Sequence, residues 1–195
     1  MPYKGSLDPL TPADLEFFQE RYGIVTPQGR IGRGDYNRYA LMINDPQGSR
    51  RGVVLRSPWA GSPLDGARGL TGKKALTYMD RVSPVQACYI GHGRPSNMLV
   101  IVEDQLSAIK LAECGLSSVA LLGVPGEGEI GMDRLRELSS FHADEVIVAL
   151  DSDATENAFK FARKWGHAFK SLRVAILERD LKDTPKIEIF GVLGL

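Results

Sequence analysis

The sequence predicts an α/β fold: a parallel sheet with helices on both faces, preceded by a small basic α+β subdomain. From about residue 97, short apolar runs alternate with amphipathic stretches in the order β-α-β-α-β-α-β. The apolar runs are nearly continuous, which is typical of parallel strands that are buried on both faces. Before that point, β-rich runs are separated by long stretches that contain Gly and Pro. We therefore divide the chain into residues 1–96 and 97–195.

The first part begins with a predicted helix and continues into a hairpin. Thr11 is a suitable N-cap, Pro12 suits the first helical position, and Gly23 ends the apolar pattern. The runs "RYALMIN" and "RGVVLRS" are rich in β-forming residues, and "DPQGSR" between them has the composition of a turn. A further strand is predicted in "KKALTYMD".

The second part repeats a strand–helix unit. Strands are predicted in "MLVIV", "SVALLG", "EVIVALD" and "RVAIL", and helices in "DQLSAIKLAEC", "MDRLRELSSF" and "ATENAFKFARKWGHAF". Gly115 stands where the first of these helices should end. Right-handed crossovers between such strands place the helices on both faces of one sheet.

Composition excludes several classes of protein. The 195 residues contain no apolar run near the roughly 20 residues that a membrane span requires. The opening "MPYKGSLDPLTP" lacks the apolar core of a signal peptide. Two cysteines exclude a disulfide scaffold and a four-cysteine zinc site. We expect a cytoplasmic protein.

Charge is distributed unevenly, although the formal net charge is zero. Residues 1–98 have a net charge of +5, residues 99–195 have −5, and the segment 21–94 alone has +8. A basic half beside an acidic half indicates a polyanionic partner on one side and cations on the other. The alternative is the ordinary variation of surface charge.

Three acids follow two predicted strands directly. Glu103 comes after "LVIV", and Asp151 and Asp153 come after "VIVAL". Open parallel sheets bind ligands at the carboxyl ends of their strands, so these carboxylates are expected at one edge. Carboxylate oxygens without His or Cys favour Mg²⁺ or Mn²⁺. The alternative is that Asp151 and Asp153 only cap the following helix, the role that we assign to Asp104 in its own helix.

The segments "LVIVEDQLSAIKLAECG" and "EVIVALDSDATENAFKFARKW" resemble the TOPRIM domain, the metal-binding module of bacterial-type primases, topoisomerases and some nucleases. The likeness is greatest to primases of tailed phages and mobile elements. It implies that Glu103, Asp151 and Asp153 are catalytic metal ligands. It also implies that "RDLKDTP" adds a metal-binding acid, with Asp183 and Asp180 as the candidates. The zinc-binding module that usually accompanies such primases finds no match in this sequence, since the Cys and His spacings do not fit it.

The resemblance also gives the basic part a role, because such primases hold template and nucleotides between a basic subdomain and the TOPRIM domain. We expect nucleotide binding by Arg56, Lys73 and Lys74, and nucleic-acid binding by Arg50, Arg51, Arg68 and Arg81. The alternative for each residue is a solvated cation at a strand edge. Trp59 could stack on a base, although a place in the core is the stronger interpretation.

The function that the resemblance implies is primer synthesis: a primase core that joins ribonucleoside triphosphates on single-stranded DNA with Mg²⁺ or Mn²⁺. In that reaction the metal would activate the 3′-hydroxyl and neutralise the leaving pyrophosphate. A replicative helicase is a candidate partner, and no membrane is involved. The alternatives are a TOPRIM nuclease, which would direct water at the same site, and a non-catalytic nucleic-acid-binding module.

Overall fold

The computed structural model describes residues 3–27, 29–65, 74–79, 87–89, 91, 97–122 and 138–195. Four helices lie in these ranges: α1 (Pro12–Tyr22), α2 (Gln105–Glu113), α3 (Thr155–Trp165) and α4 (Lys186–Val192). The strands are β1 (Leu7–Asp8), β2 (Ile31–Gly34), β3 (Arg38–Asn44), β4 (Arg50–Arg56), β5 (Ala75–Met79), β6 (Ala87–Tyr89), β7 (Met98–Val102), β8 (Ser117–Ala120), β9 (Glu145–Val148) and β10 (Ser171–Val174). They form two five-stranded sheets.

The first sheet is antiparallel, with its strands in chain order from β1 to β5. The predicted hairpin is confirmed: β3 pairs with β4, and the Asp45 carboxylate closes their turn by accepting from the backbone N–H groups of Gln47 and Ser49. Gly48 in this turn has φ 82°, which glycine adopts without the steric cost of a side chain.

Helix α1 has the predicted ends. Thr11 caps it by accepting from the backbone of Asp14, and the Asp14 carboxylate accepts in return from the backbone of Thr11. Gly23 closes the helix with φ 67°. Asp14 is fully buried, and Arg33 and Tyr39 donate hydrogen bonds to its carboxylate. The cap therefore also attaches the helix to the first sheet.

The second sheet confirms the predicted α/β class. Its order is β10-β9-β7-β8-β6, and the first four of these strands are parallel. Strand β6 runs antiparallel to β8 at the edge. Because β6 lies before residue 97, the second sheet takes a strand from the part of the chain that the sequence assigns to the first subdomain. The boundary between 96 and 97 remains a prediction.

The two faces of the second sheet carry different helices, as predicted. Val100 and Val102 of β7 belong to the core that contains α2, whereas Leu99 and Ile101 belong to a core with Phe161 of α3. This alternation follows from the two-residue period of a strand. The helix predicted in "MDRLRELSSF" falls largely outside the described residues.

Helix α2 lies at the centre of the molecule and is buried from Gln105 to Ala112. Its apolar side chains share one core with Phe18 of α1, Tyr39 of β3 and Ile189 of α4. Asp104 caps the helix as predicted, by accepting from the backbone N–H groups of two residues in its first turn. No helix in the described part of the chain is long and apolar enough to span a membrane.

Candidate functional site

A cleft of about 500 Å³ separates the two sheets at the carboxyl ends of the parallel strands. Glu103, directly after β7, and Asp151, three residues after β9, line one wall. The opposite wall comes from β4 and β5 and includes Arg56 and Lys74. The fold therefore brings acids from the second sheet to face basic residues from the first.

The three acids predicted at this edge are close to one another. Glu103 and Asp151 line the cleft, and the exposed Asp153 lies near enough to Glu103 to raise its pKa. Capping does not account for the two aspartates, because neither the short turn at Ser152–Ala154 nor α3 receives a hydrogen bond from a capping side chain. Neither carboxylate is therefore used as a helix cap.

The ammonium of Lys182 stands among three carboxylates of this edge. Its Nζ lies 2.6 Å from Asp180 Oδ2 and 3.3 Å from Oδ2 of both Asp104 and Asp151. Asp180 is fixed further by the backbone N–H of Ser152, which donates to Asp180 Oδ1 at 3.2 Å. One side chain therefore connects the ends of β7 and β9 with the segment that follows β10.

Helix α2 holds the backbone of Lys182 in place. The Lys182 N–H donates to Ser107 Oγ at 3.1 Å, and its carbonyl accepts from Lys110 Nζ at 2.8 Å. Lys110 is only 2% exposed, and this burial lowers the pKa of its ammonium to about 8. The short turn Leu181–Asp183 is accordingly docked on α2 by polar contacts from two helical turns.

Burial and the neighbouring charges shift the pKa values of this cluster in different directions. Burial and the neighbouring Asp104 raise the pKa of Asp151 to about 6. Burial, Asp153 and Asp104 raise the pKa of Glu103. For Asp180, the hydrogen bonds from Lys182 and Ser152 outweigh burial and lower the pKa. Burial acts against the charge on Lys182, but the surrounding aspartates raise its pKa above the ordinary value.

The donor set fits a hard divalent cation in its chemistry. The cleft offers carboxylate oxygens, which are the ligand type that Mg²⁺ and Mn²⁺ favour. In the part of the chain that the structure describes, no three side chains of His, Cys, Asp or Glu already converge on one ion. A metal site on these carboxylates therefore stays a prediction.

The basic wall is built by two neighbouring strands. Arg56 at the end of β4 pairs with Ala75 of β5, and the Lys74 carbonyl accepts from the backbone N–H of Ser57 at 2.9 Å. The guanidinium of Arg56 lies 5.5 Å from the ring centroid of Trp59. Trp59 packs edge-on against Phe18, which confirms its place in the core, and it also lines the cleft; stacking on a base stays a prediction.

Other predicted residues lie elsewhere. The Asp183 carboxylate is 3.0 Å from the guanidinium of Arg21, outside the set of side chains that line the cleft. Arg50 and Arg51 begin β4, roughly 20 Å along the strand from Arg56. Arg51 is paired with Asp45 at 2.7 Å. Lys73, which was predicted to bind nucleotide, lies outside the described residues, as do Arg68 and Arg81, which were predicted to bind nucleic acid.

A buried hydrogen-bond network joins the two sheets beside the cleft. Gln105 Nε2 donates to the Met42 carbonyl of β3 at 3.0 Å and to Tyr89 Oη of β6 at 2.8 Å. Tyr89 Oη itself donates to the Met42 carbonyl at 2.6 Å. Since Gln105 follows Glu103 and Asp104 in the chain, this network fixes the position of these two acids relative to the first sheet.

Sequence reasoning missed Lys182 and the contact of Asp104 with it. The signal was present in "RDLKDTP", where a lysine stands between two candidate acids. A lysine between acids is common on protein surfaces, so its place in the cleft becomes evident only when the turn is docked on α2. Asp180, which was considered beside Asp183, is the acid of this segment that lines the cleft.

Neither a family model nor a curated protein matches the chain. Solved structures do match. The Aquifex aeolicus primase, solved with its zinc-binding and RNA polymerase domains, has a TM-score of 0.59 at 17% identity over 97% of this chain and 50% of that chain. A DnaG primase catalytic domain bound to single-stranded DNA has a TM-score of 0.56 at 19% identity over 97% and 64%. The RNA polymerase domain of Mycobacterium tuberculosis primase DnaG has 0.53 at 15% identity over 80% and 52%.

These similarities establish the fold. The chain spans between half and just under two-thirds of the length of those three structures. Its two sheets, with the cleft between them, have the architecture of a bacterial primase catalytic core.

Proposed function

We propose that this chain is the catalytic core of a DNA primase, which joins ribonucleoside triphosphates into short RNA primers on a single-stranded DNA template. The observation that carries the proposal is the cleft in which Glu103 and Asp151 face Arg56 and Lys74. Triphosphates and nucleic acid need basic contacts for their phosphates, and phosphoryl transfer needs carboxylates that can hold a divalent cation. Both are present, on opposite walls, in a fold shared with primase cores.

In this proposal, Glu103, Asp151 and Asp153 hold Mg²⁺ or Mn²⁺. The bound cation would make the 3′-hydroxyl a better nucleophile and neutralise charge on the leaving pyrophosphate. Glu103 and Asp151 would orient the reacting 3′-hydroxyl at the edge of the second sheet. Asp180 assists them from the segment after β10, in place of Asp183, whose carboxylate is paired with Arg21.

Arg56 and Lys74 bind the phosphates of the incoming nucleotide. β-pairing fixes the backbone of Arg56, and its guanidinium already lies over the ring of Trp59, so less side-chain freedom is lost when it binds a phosphate. Lys74, which directly precedes β5, supplies a second charge. Lys73, Arg68 and Arg81 remain candidates for contacts to the template, together with Arg50 and Arg51 at the distant end of β4.

A product assay tests this function. The protein is incubated with Mg²⁺ or Mn²⁺, single-stranded DNA and labelled ribonucleotides, and the products are separated by size. New short RNA that requires template supports the proposal. Shortened DNA without nucleotide consumption would indicate the nuclease instead, and retained DNA binding without either product would indicate a non-catalytic module.

The sequence resemblance further favours a relationship to primases of tailed phages or mobile elements. It also makes a replicative helicase a candidate partner. The DnaG catalytic domain bound to single-stranded DNA supports a similar template for this chain. Addition of candidate helicases to the product assay tests the partner, since a functional helicase should increase primer yield.

A further inference from the structure

We propose that helix α3 carries a binding strip for single-stranded DNA, formed by Phe159, Arg163 and Lys164, which holds a stretch of template beyond the edge of the cleft. The strip lies on the face of the second sheet that is opposite α2. The inference rests on the DNA template of the proposed function. It deepens that function by placing template contacts outside the cleft and outside the basic first part of the chain.

The charge of this segment is opposite to that of the half of the chain in which it lies. Residues 157–173 contain five Lys and Arg residues and no Asp or Glu, whereas residues 99–195 have a net charge of −5. Three of these five cations form ion pairs with nearby acids: Lys160, Lys170 and Arg173. Within the part of the chain that the structure describes, Arg163 and Lys164 have no carboxylate at ion-pair distance. Both side chains are exposed, so this side of α3 attracts polyanions.

An aromatic side chain accompanies these cations on the solvent side of the helix. The core side of α3 is formed by Ala158 and Phe161, which are 1% and 6% exposed. Phe159 is 50% exposed, and Arg163, four residues further along, is its neighbour on the helix surface. The solvent side of an amphipathic helix is ordinarily polar. The exposed ring of Phe159 departs from that pattern and offers a face on which a base can stack.

Trp165 supports the ammonium of Lys164 at the end of the helix. Lys164 Nζ lies 5.0 Å from the centroid of the Trp165 ring. Trp165 itself packs against the core on this face of the second sheet. The cation–π contact restricts the ammonium, so less side-chain freedom is lost when it binds a phosphate.

The start of α3 places the strip beside the cleft. The helix begins at Thr155, two residues after Asp153 and beyond the carboxyl end of β9. At about 1.5 Å per residue, Phe159 lies roughly 6 Å and Lys164 roughly 14 Å along the helix axis from Thr155. Asp153 and Glu156 near the start of the helix repel phosphate. The template backbone is therefore held from the second turn of α3 onward.

The combination of groups favours a single strand over a duplex. Proteins that bind single strands without sequence preference combine basic side chains, which contact the backbone, with aromatic rings on which bases stack. A single strand exposes both its phosphates and the faces of its bases. A duplex hides those faces by stacking, so it would use the two cations and leave the ring of Phe159 without a partner.

The salt dependence of DNA binding tests the charges of the strip. The full chain is titrated against a fluorescent oligodeoxythymidylate without metal or nucleotide, and anisotropy is measured at several salt concentrations. For single strands, the logarithm of the association constant falls with the logarithm of salt concentration by about 0.7 per phosphate contact. Arg163→Gln/Lys164→Gln should therefore reduce this slope by about 1.4. Lys170→Gln, which removes a surface cation that is paired with Asp144, should keep the wild-type slope.

The same titration tests the ring. Phe159→Ala should weaken binding by about five-fold or more at every salt concentration, because the loss of one stacked base lowers affinity without a change in counterion release. Ile187→Ala, which truncates a side chain that is 90% exposed on α4, should bind as the wild type does. Circular dichroism checks that each variant is folded, and the charge variant and the ring variant can be evaluated separately.

Two results would overturn the inference alone. One is a folded α3 variant, of either kind, that binds the oligonucleotide with the affinity and the salt slope of the wild type. The other is a loss of binding in Arg163→Gln/Lys164→Gln that Lys170→Gln reproduces, since net charge would then explain it. A wild type that does not bind the oligonucleotide would contradict the template of the proposed function, and the inference with it.

Discussion

Asp151 is the residue on which the proposed chemistry depends most directly, since it combines burial, a raised pKa and a place in the cleft. Asp151→Asn keeps the shape and removes the charge. If this carboxylate binds metal, the variant loses several kcal/mol of transition-state stabilisation, and primer yield falls by about 100-fold or more. Asp144→Asn, an exposed acid at the opposite end of the second sheet, should leave the yield unchanged. Full activity of Asp151→Asn would exclude the assigned role.

The same carboxylate should reduce the stability of the metal-free protein at neutral pH. Its pKa rises from 3.8 to about 6 on folding, so the folded state binds the proton more tightly than the unfolded chain. Its contribution to stability is therefore lost as pH rises from about 4 to about 6. In thermal unfolding without metal, Asp151→Asn should melt above the wild type at pH 7, and the difference should vanish near pH 4. A difference that does not depend on pH would contradict this explanation.

At the scale of elements, Glu113 joins three segments of the chain. The pH dependence of its contribution to stability is opposite to that of Asp151. Its carboxylate accepts from the backbone of Val25 and Thr26 and from Lys186 Nζ, so the end of α2 is tied to the loop after α1 and to the start of α4. Burial acts to raise the pKa of Glu113, but these hydrogen bonds lower it below 4.5. Its contribution to stability is therefore present at neutral pH and is lost as pH falls.

Glu113→Gln should lower the free energy of unfolding by about 1–3 kcal/mol at pH 7, because the carboxylate charge opposite Lys186 is lost and one of its two acceptor oxygens becomes an amide NH₂. The gap between variant and wild type should close as pH falls below about 4.5. Urea unfolding at several pH values measures this gap. Glu156→Gln, which removes an exposed acid from the i,i+4 pair with Lys160, serves as control and should change stability by less than about 0.5 kcal/mol.

The elements themselves were largely predictable, because local patterns specify them. Thr11 and Gly23 bound α1 in the sequence and in the structure. The apolar run before Glu103 predicted β7. Glu103 and Asp151 were expected at one edge because both follow parallel strands, and both line the cleft. Lys182 was not predictable in this way, since its position depends on a docking contact with Ser107 and Lys110 across more than 70 residues of chain.

At the scale of the whole molecule, one core extends from Phe18 in α1 to Leu193 after α4 and includes both sheets. The change from the first sheet to the second lies between β5 and β6, before the predicted division at 96 and 97. The sequence pattern alone did not reveal that α2 packs between the sheets. Periodicity describes which face of an element is apolar, but it does not specify the partner that covers that face.

This shared core predicts that both parts unfold together. In Trp165→Phe, Trp59 is the remaining tryptophan, so its fluorescence reports on the first part, while far-UV circular dichroism reports mainly on the helices of the second. The two urea transitions should coincide in midpoint and slope. Separate transitions would show that the two parts unfold independently.

The contact of Gln105 and Tyr89 with the Met42 carbonyl has a consequence for how such a chain can be recombined with its relatives. Because Gln105 directly follows the acids, and the carbonyl to which it donates lies on a strand of the first sheet, the two halves are matched to each other. A chimera that took one half of the chain from a relative would keep the phosphate-binding and the acidic side chains. The two sets would nevertheless be misaligned with each other across the cleft. Only grafts that carry both sides of this contact together should give interchangeable parts.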